Sequence, residues 1–124
     1  VEHLARRTLG VLTFVRADRH DERDHLRMEL SPQAQWRYAQ LYRGELDDDL
    51  GDGIVGALLE RRAPILLRLA MLMALTDLQT RIDVQHIDAA MAWIRYATAS
   101  VRFVFVSAAE EAKLAKVQEL LEKL

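Results

Sequence analysis

Three arginines lie in the most apolar stretch of this 124-residue chain, and they are the first candidates for chemistry. The stretch covers residues 53–77, and the arginines are Arg61, Arg62 and Arg68. A guanidinium group offers a planar fork of N–H donors that fits two phosphate oxygens, so Arg61 is a candidate phosphate sensor. The alternative is structural, with the stems packed on apolar neighbours and the heads in solvent or on a carboxylate. The residues alone favour this structural interpretation.

A glycine-rich sequence, Gly51-Asp-Gly53-Ile-Val-Gly56, has the letters of the dinucleotide-binding fingerprint and precedes a predicted helix. That fingerprint has to follow a buried apolar strand, whereas here it follows the acidic residues 47–49. Because these carboxylates would repel a pyrophosphate, we interpret the glycines as a turn that leads into a helix.

The segment from His20 to His25, His-Asp-Glu-Arg-Asp-His, contains several metal-ligand types. On a helix only two ligands would share each face, fewer than the three or four that a zinc site needs. We therefore predict no metal site. No Ser-His-Asp grouping and no P-loop sequence is present, so we predict no catalytic residue and no enzymatic activity for this chain on its own.

The composition predicts an all-α protein: 51% of the residues are apolar, 29% are charged, and there are only five glycines and two prolines. A net charge of −2 gives no overall attraction to nucleic acid or membrane. The longest apolar run, residues 63–75, is interrupted by Arg68 and is too short for a membrane span. With no cysteine in the chain, we expect a cytoplasmic protein without a membrane partner.

Hydrophobic periodicity predicts a single bundle of five to six helices around a central apolar helix over 64–77. A first helix is predicted over 2–17, and Ser31 with Pro32 marks the start of a second that runs to about Leu46. Pro64 predicts a break near Ala63, because proline lacks the N–H group and clashes with the preceding turn. In the second helix, we expect the core to receive Ala34, Tyr38, Leu41 and Tyr42.

The C-terminal half is predicted to contain a turn over 78–83, with Asp83 as the N-cap of a helix from Val84 to about Val106. His86 falls in the first turn of that helix, with no partner identified. The remaining residues contain all three lysines of the chain, whereas the other 14 basic residues are arginine. We therefore expect two units, 1–107 and a C-terminal helix over 108–124. Since the chain begins with Val1, we also expect it to be a piece of a longer protein.

From Ser31 to about Ser107 the sequence resembles the C-terminal helical part of bacterial and phage primase–helicase-like P-loop ATPases. The residues that carry this resemblance are Ser31-Pro-Gln-Ala34, Tyr42, Gly53-Ile-Val-Gly56-Ala-Leu-Leu-Glu-Arg61, Leu67-Arg-Leu-Ala-Met-Leu-Met-Ala-Leu-Thr-Asp77, Ile82, His86-Ile-Asp-Ala-Ala90, Trp93 and Tyr96. The stretch from Arg61 to Ala70 is also similar to the lid helix of the mini-chromosome maintenance helicases, which are AAA+ ATPases.

The resemblance implies that this chain is a lid-like segment of a replication ATPase without its catalytic core. In the helicase lid, an arginine seven residues before an Arg-Leu-Ala sequence contacts the γ-phosphate, often of a neighbouring subunit; here that arginine is Arg61. Arg68 is then a structural arginine, an internal ion-pair partner. The implied partners are the missing ATPase core or a neighbouring subunit, and DNA through the parent protein. ATP and Mg²⁺ would bind only in that parent, and this chain would hold no cofactor.

The alternative is a stand-alone helical module for protein–protein interaction or dimerisation, with no nucleotide role. It predicts a stable oligomer through the helix over 84–106 or the tail over 108–124, and a local salt bridge that holds Arg61. Direct DNA binding through the arginines of the first segment is a weaker hypothesis, because that segment has six basic and six acidic residues up to Leu30.

Overall fold

The fold was analysed in a computed structural model, which describes residues 1–17, 25–47 and 53–123. Its elements follow in the order α1 (Glu2–Ala17), β1 (Glu29–Leu30), α2 (Pro32–Arg43), α3 (Ile54–Leu59), α4 (Arg62–Thr76), β2 (Arg81–Ile82) and α5 (Val84–Glu122). The predicted all-α class is confirmed. The described residues form four helices of 12 residues or more and the six-residue α3, fewer long helices than the five to six predicted.

Helix α2 begins as its sequence predicts. Ser31 has extended backbone angles, and its hydroxyl oxygen accepts a hydrogen bond from the Ala34 N–H at 3.1 Å, while Pro32 occupies the first turn. The helix ends at Arg43, where the N–H of Gly44 bonds to the Gln40 carbonyl. Ala34 and Leu41 are buried as predicted. The core position predicted for Tyr42 is wrong, since this side chain is exposed.

The predicted break before the apolar helix is confirmed, but it lies at Glu60–Arg61 rather than near Ala63. Pro64 falls in the first turn of α4, where a backbone N–H has no carbonyl partner within the helix. The helical hydrogen bonds begin at the next residue, where the Ile65 N–H donates to the Arg61 carbonyl at 3.2 Å. Proline therefore sits inside the start of α4 instead of ending the helix before it.

Two short strands join distant parts of the chain, and no pattern in the sequence predicts their pairing. Strand β1 pairs with β2 in parallel, with Glu29 opposite Arg81 and Leu30 opposite Ile82. The strand β2 lies in the segment that had been predicted as a turn. Each strand leads directly into the N-cap of a helix, Ser31 for α2 and Asp83 for α5. The pairing therefore places the starts of α2 and α5 side by side.

The main packing contact is between α4 and α5, and α1 contacts α4 as well. The buried side of α4 repeats every four residues through Leu66, Ala70 and Ala74. Apolar side chains of α5, including Ile87 and Met91, belong to the same core cluster. The opposite side of α4 is exposed in the described structure. The predicted central helix is therefore covered mainly by α5, and not by other helices on several sides.

Helix α5 is longer than predicted, because it continues through Ser107 to Glu122. The predicted end near Val106 is wrong: residues 107–123 contain neither glycine nor proline, and alanine, glutamate, lysine and leucine favour continued helix. The two predicted C-terminal helices are thus one helix, which accounts for part of the lower helix count. Residues 108–123 are all exposed. None of the helices within the described ranges has the length and apolarity of a membrane span.

Candidate functional site

Arg61 lies at the junction of α3 and α4, where it is the N-cap residue of α4. Its backbone angles are φ −87° and ψ 13°, and its side chain forms no capping hydrogen bond. The residue is exposed, and within the described ranges it forms no ion pair. The local salt bridge that the interaction-module alternative predicted for Arg61 is therefore not seen in this part of the chain.

An exposed surface that combines arginine with apolar side chains surrounds Arg61, and we call it the lid face. Its members are Leu58 of α3, Arg61 between the two helices, and Ile65, Arg68 and Leu72, which follow helical spacing along α4. Ile65, Arg68 and Leu72 lie on the side of α4 that is turned away from its buried positions. Exposed apolar residues around a cation suit a surface that another protein body covers.

The structure places Arg68 on this exposed lid face rather than inside the protein. Across the described residues Arg68 has no ion-pair partner, so the internal pair expected for it is not seen. Helical spacing explains the placement. Arg68 lies three residues after Ile65 and four before Leu72, both of which are exposed, whereas the buried positions are two residues away on either side.

The buried arginine of this region is Arg62, which the sequence analysis had not assigned to the core. Its exposed fraction is 7%, and one terminal N–H of its guanidinium donates to the Leu46 carbonyl at 3.5 Å. Its Nε has no hydrogen-bond partner among the described residues. Arg62 lies four residues before Leu66, at the start of the same buried series. That spacing was the signal that could have identified it.

A bidentate ion pair near Arg62 joins α5 to the segment that follows α2. Arg95 of α5 donates from Nε and Nη2 to the two carboxylate oxygens of Glu45, at 2.7 and 2.8 Å. These hydrogen bonds hold the pKa of Glu45 below its ordinary value. A second pair, Arg37 Nε to Asp88 Oδ1 at 2.8 Å, also joins α2 to α5. The residues that follow α2 are thus fixed to α5 and α4 by charged side chains.

Glu45 should make the stability of the chain depend on pH in the acid range. Because the pKa of Glu45 is lower in the folded state than its ordinary value, its contribution is present above about pH 4.5 and is lost as pH falls through the folded pKa. Glu45→Gln should therefore lower the free energy of unfolding near neutral pH and have little effect well below the folded pKa. Both side chains are partly exposed, so we expect a small effect.

The measurement is urea unfolding of the wild-type and Glu45→Gln chains over a series of pH values. Glu2→Gln is the matched control, since Glu2 forms an exposed pair with Arg6 within α1. A difference between the wild-type and Glu45→Gln free energies that stays constant across the acid range would contradict this prediction.

His86 is confirmed in the first turn of α5 and has partners that the sequence analysis did not identify. It is buried, and its Nδ1 accepts a hydrogen bond from the backbone N–H of Asp83 at 2.9 Å. Because Nδ1 accepts, the proton of the neutral ring is on Nε2, which donates to the Asp77 Oδ2 atom at 3.1 Å. His86 takes the role that glutamate or glutamine has in a capping box, and it also ties the end of α4 to α5.

His86→Ala should destabilise the chain by about 1–2 kcal/mol, because it removes the partner of a helix-start N–H and a buried contact with Asp77. Gln40→Ala is the control, since Gln40 is exposed on α2 and does not contact His86. The free energy of unfolding of both variants is measured by following helix content, by circular dichroism, as a function of urea concentration. Equal stability of the two variants would show that the His86 hydrogen bonds contribute nothing measurable.

Two other segments of the sequence were candidates for chemistry, the one from His20 to His25 and the one from Gly51 to Gly56. Residues 20–24 of the His/Asp segment and Gly51–Asp52 of the glycine-rich sequence lie outside the described residues. Where the structure does describe the chain, no cluster of three or more metal-ligand side chains is found. Gly53 has φ 103°, a conformation that L-residues rarely adopt, which fits the interpretation of a turn into α3.

Comparisons of this chain with protein-family models, with curated proteins and with solved structures find no match. The lid face, Arg61 and the long α5 are therefore the features that bear on function.

Proposed function

We propose that this chain is the helical lid and C-terminal segment of a replication-type P-loop ATPase, and that Arg61 senses the nucleotide phosphate. The ATP and Mg²⁺ are bound by the ATPase core of the parent protein or by a neighbouring subunit, and the parent acts on DNA in the cytoplasm. On its own the chain carries no ATPase activity, because it contributes an arginine but no phosphate-binding loop.

The observation that carries the proposal is the state of Arg61. An arginine that contacts a phosphate on another protein body cannot form an ion pair within its own domain. Arg61 is exposed and forms no ion pair with the described residues. Arg61 directly precedes the first residue of α4, and α4 packs against α5 through Leu66, Ala70 and Ala74. The backbone of Arg61 is therefore held by a packed helix. A guanidinium held in this way can stabilise negative charge on a transferring phosphoryl group.

The surroundings of Arg61 supply further support. Leu58, Ile65 and Leu72 are exposed on the lid face, and together they give an apolar surface that an ATPase core would cover. Covering this surface would exclude water around Arg61, which strengthens its interaction with a phosphate. ATP hydrolysis by the intact parent protein, measured with and without Arg61→Ala, tests the proposal.

A second candidate function, a dimerising module, is favoured by a different observation. The outer half of α5 exposes large apolar side chains, among them Phe103, Leu114 and Leu121. From residue 108 onward α5 is exposed on all sides, and an exposed helix that still carries large apolar residues suits a pairing element. This function does not involve Arg61 and does not conflict with the first.

A further inference from the structure

Helix α5 has a second apolar face in addition to the one that packs against the protein. Its inner side is buried through Ile87, Met91, Ile94 and Thr98. Next to this buried side runs a stripe of exposed positions, which we call the outer stripe. It consists of Ala99, Phe103, Val106, Glu110, Leu114, Val117 and Leu121.

The spacing of the outer stripe follows the rule of a coiled coil. Successive members are separated by four, three, four, four, three and four residues. Alternation of three and four is the a/d pattern of helices that pair along their length, and the repeated four at Glu110 is a stutter of the kind that coiled coils contain. The stripe extends for about 33 Å at about 1.5 Å per residue.

This spacing is symmetric about Glu110. We propose that the partner of the outer stripe is a second copy of this chain, whose α5 runs antiparallel with Glu110 at the twofold axis. In a twofold interface the same patch meets itself in the opposite direction. Ala99 then faces Leu121 of the other copy, Phe103 faces Val117, and Val106 faces Leu114.

Side-chain size favours the antiparallel direction over the parallel one. In the antiparallel register the smallest member, Ala99, is opposite the large Leu121, and Phe103 is opposite the smaller Val117. Parallel pairing would set Ala99 against Ala99 and Phe103 against Phe103, leaving a void in one layer and crowding in another. The outer part of each α5, exposed in a single copy, would lie on residues 99–110 of the partner helix, which directly follow its last buried residue, Thr98.

The outer stripe contains a single charged layer, Glu110. Two Glu110 carboxylates meet at the twofold axis, and like charges alone would oppose pairing. Lys113 lies three residues further along and borders the stripe, so that two ammonium groups accompany the two carboxylates.

This inference deepens the dimerising-module function and does not depend on Arg61. Its first test is the mass of the chain in solution at micromolar concentration, measured by sedimentation equilibrium, where we expect a dimer. Val117→Glu should raise the dimer dissociation constant by about tenfold or more. Ala115→Glu adds the same charge off the stripe and should have little effect. Neither variant alters the core, because both positions are exposed.

Glu110→Leu should tighten the dimer by about tenfold or more, because it replaces the charged layer with an apolar one. Glu111→Leu is the matched control, since it removes the same charge from the next position, outside the stripe. A dimer that Val117→Glu and Glu110→Leu leave unchanged would overturn the outer stripe as its interface.

The chain contains no cysteine, so introduced cysteines can report the direction of pairing. A mixture of the Val106→Cys and Leu114→Cys chains should form a mixed disulfide dimer, whereas Val106→Cys alone should form little. Efficient cross-linking of Val106→Cys with itself would show a parallel dimer, which overturns the antiparallel arrangement but keeps the dimerising function. A monomer at all concentrations would overturn both.

Discussion

Replacing Arg61 by alanine in the proposed parent ATPase is expected to lower the rate of ATP hydrolysis by about 10³-fold or more, the effect that removal of a phosphate-contacting arginine has in related chemistry. The physical reason is that a guanidinium fork stabilises charge that develops on the transferring phosphoryl group more than it stabilises bound ATP. The turnover rate should therefore fall much more than the affinity for ATP. Steady-state hydrolysis and nucleotide binding, measured side by side, separate the two effects.

Two further variants make this result specific to the guanidinium fork. Arg61→Lys keeps the charge but loses the bidentate geometry, so it should recover only part of the lost rate. Arg7→Ala removes an exposed arginine from α1 and should leave the rate unchanged. In the isolated chain Arg61→Ala should not change the free energy of unfolding, because the side chain is exposed and forms no ion pair with the described residues. Near-normal hydrolysis by the Arg61→Ala parent would end the proposal.

The position of Pro64 bears directly on this experiment. A kink at Pro64 inside a helix would have turned Arg61 away from the direction of Arg68. Instead the break lies at Glu60–Arg61 and the proline occupies the first turn of α4. Arg61 is one turn before Ile65 and adjoins the same exposed side as Arg68 and Leu72. The lid face therefore presents both arginines to whatever body covers it.

Local chemistry made several features of the fold predictable. Ser31 and Pro32 specify the start of α2 because a hydroxyl oxygen and a residue without N–H suit the first turn of any helix. Asp83 could likewise be assigned as the N-cap of α5, and the all-α class followed from composition and periodicity. In each case the determinant lies within a few residues of the feature that it specifies.

Features that depend on distant residues were missed. Leu30 and Ile82 pair across 52 positions, and a two-residue strand leaves no periodic pattern in the sequence. The same holds for Arg95 with Glu45, which are 50 residues apart. Arg62 and His86 are intermediate cases: a four-residue spacing to Leu66 and a third helical position after Asp83 were visible, but an arginine and a histidine are not the residues expected there.

The candidate site was predictable only in part. The sequence singled out Arg61, and its exposure depends on which side of α4 packs against α5. That side is set by Leu66, Ala70 and Ala74 together with their neighbours on α5, a choice that the strongly apolar sequence of α4 leaves open. Because apolar residues surround more than one side of this helix, periodicity alone could not separate its buried side from the lid face.

Leu66→Ala is accordingly the stability experiment with the largest expected effect. Leu66 has no exposed surface and lies in the core cluster shared by α4 and α5, so its truncation removes buried methyl groups and leaves a cavity. We expect the free energy of unfolding to fall by about 2–5 kcal/mol. Leu72→Ala is the control on the same helix, because 57% of Leu72 is exposed on the lid face; its effect in the isolated chain should stay within about 0.5 kcal/mol.

Urea unfolding of the two leucine variants then tests the orientation of α4, on which the exposure of Arg61 depends. A large loss of stability for Leu66→Ala with a small one for Leu72→Ala places the lid face in solvent in the isolated chain. The opposite order would mean that Leu72 faces the core and that Arg61 and Arg68 belong to a buried side, which would contradict both the packing and the nucleotide-sensing role. In the intact parent protein, Leu72→Ala should acquire an effect of its own, because the proposed ATPase core covers the lid face there.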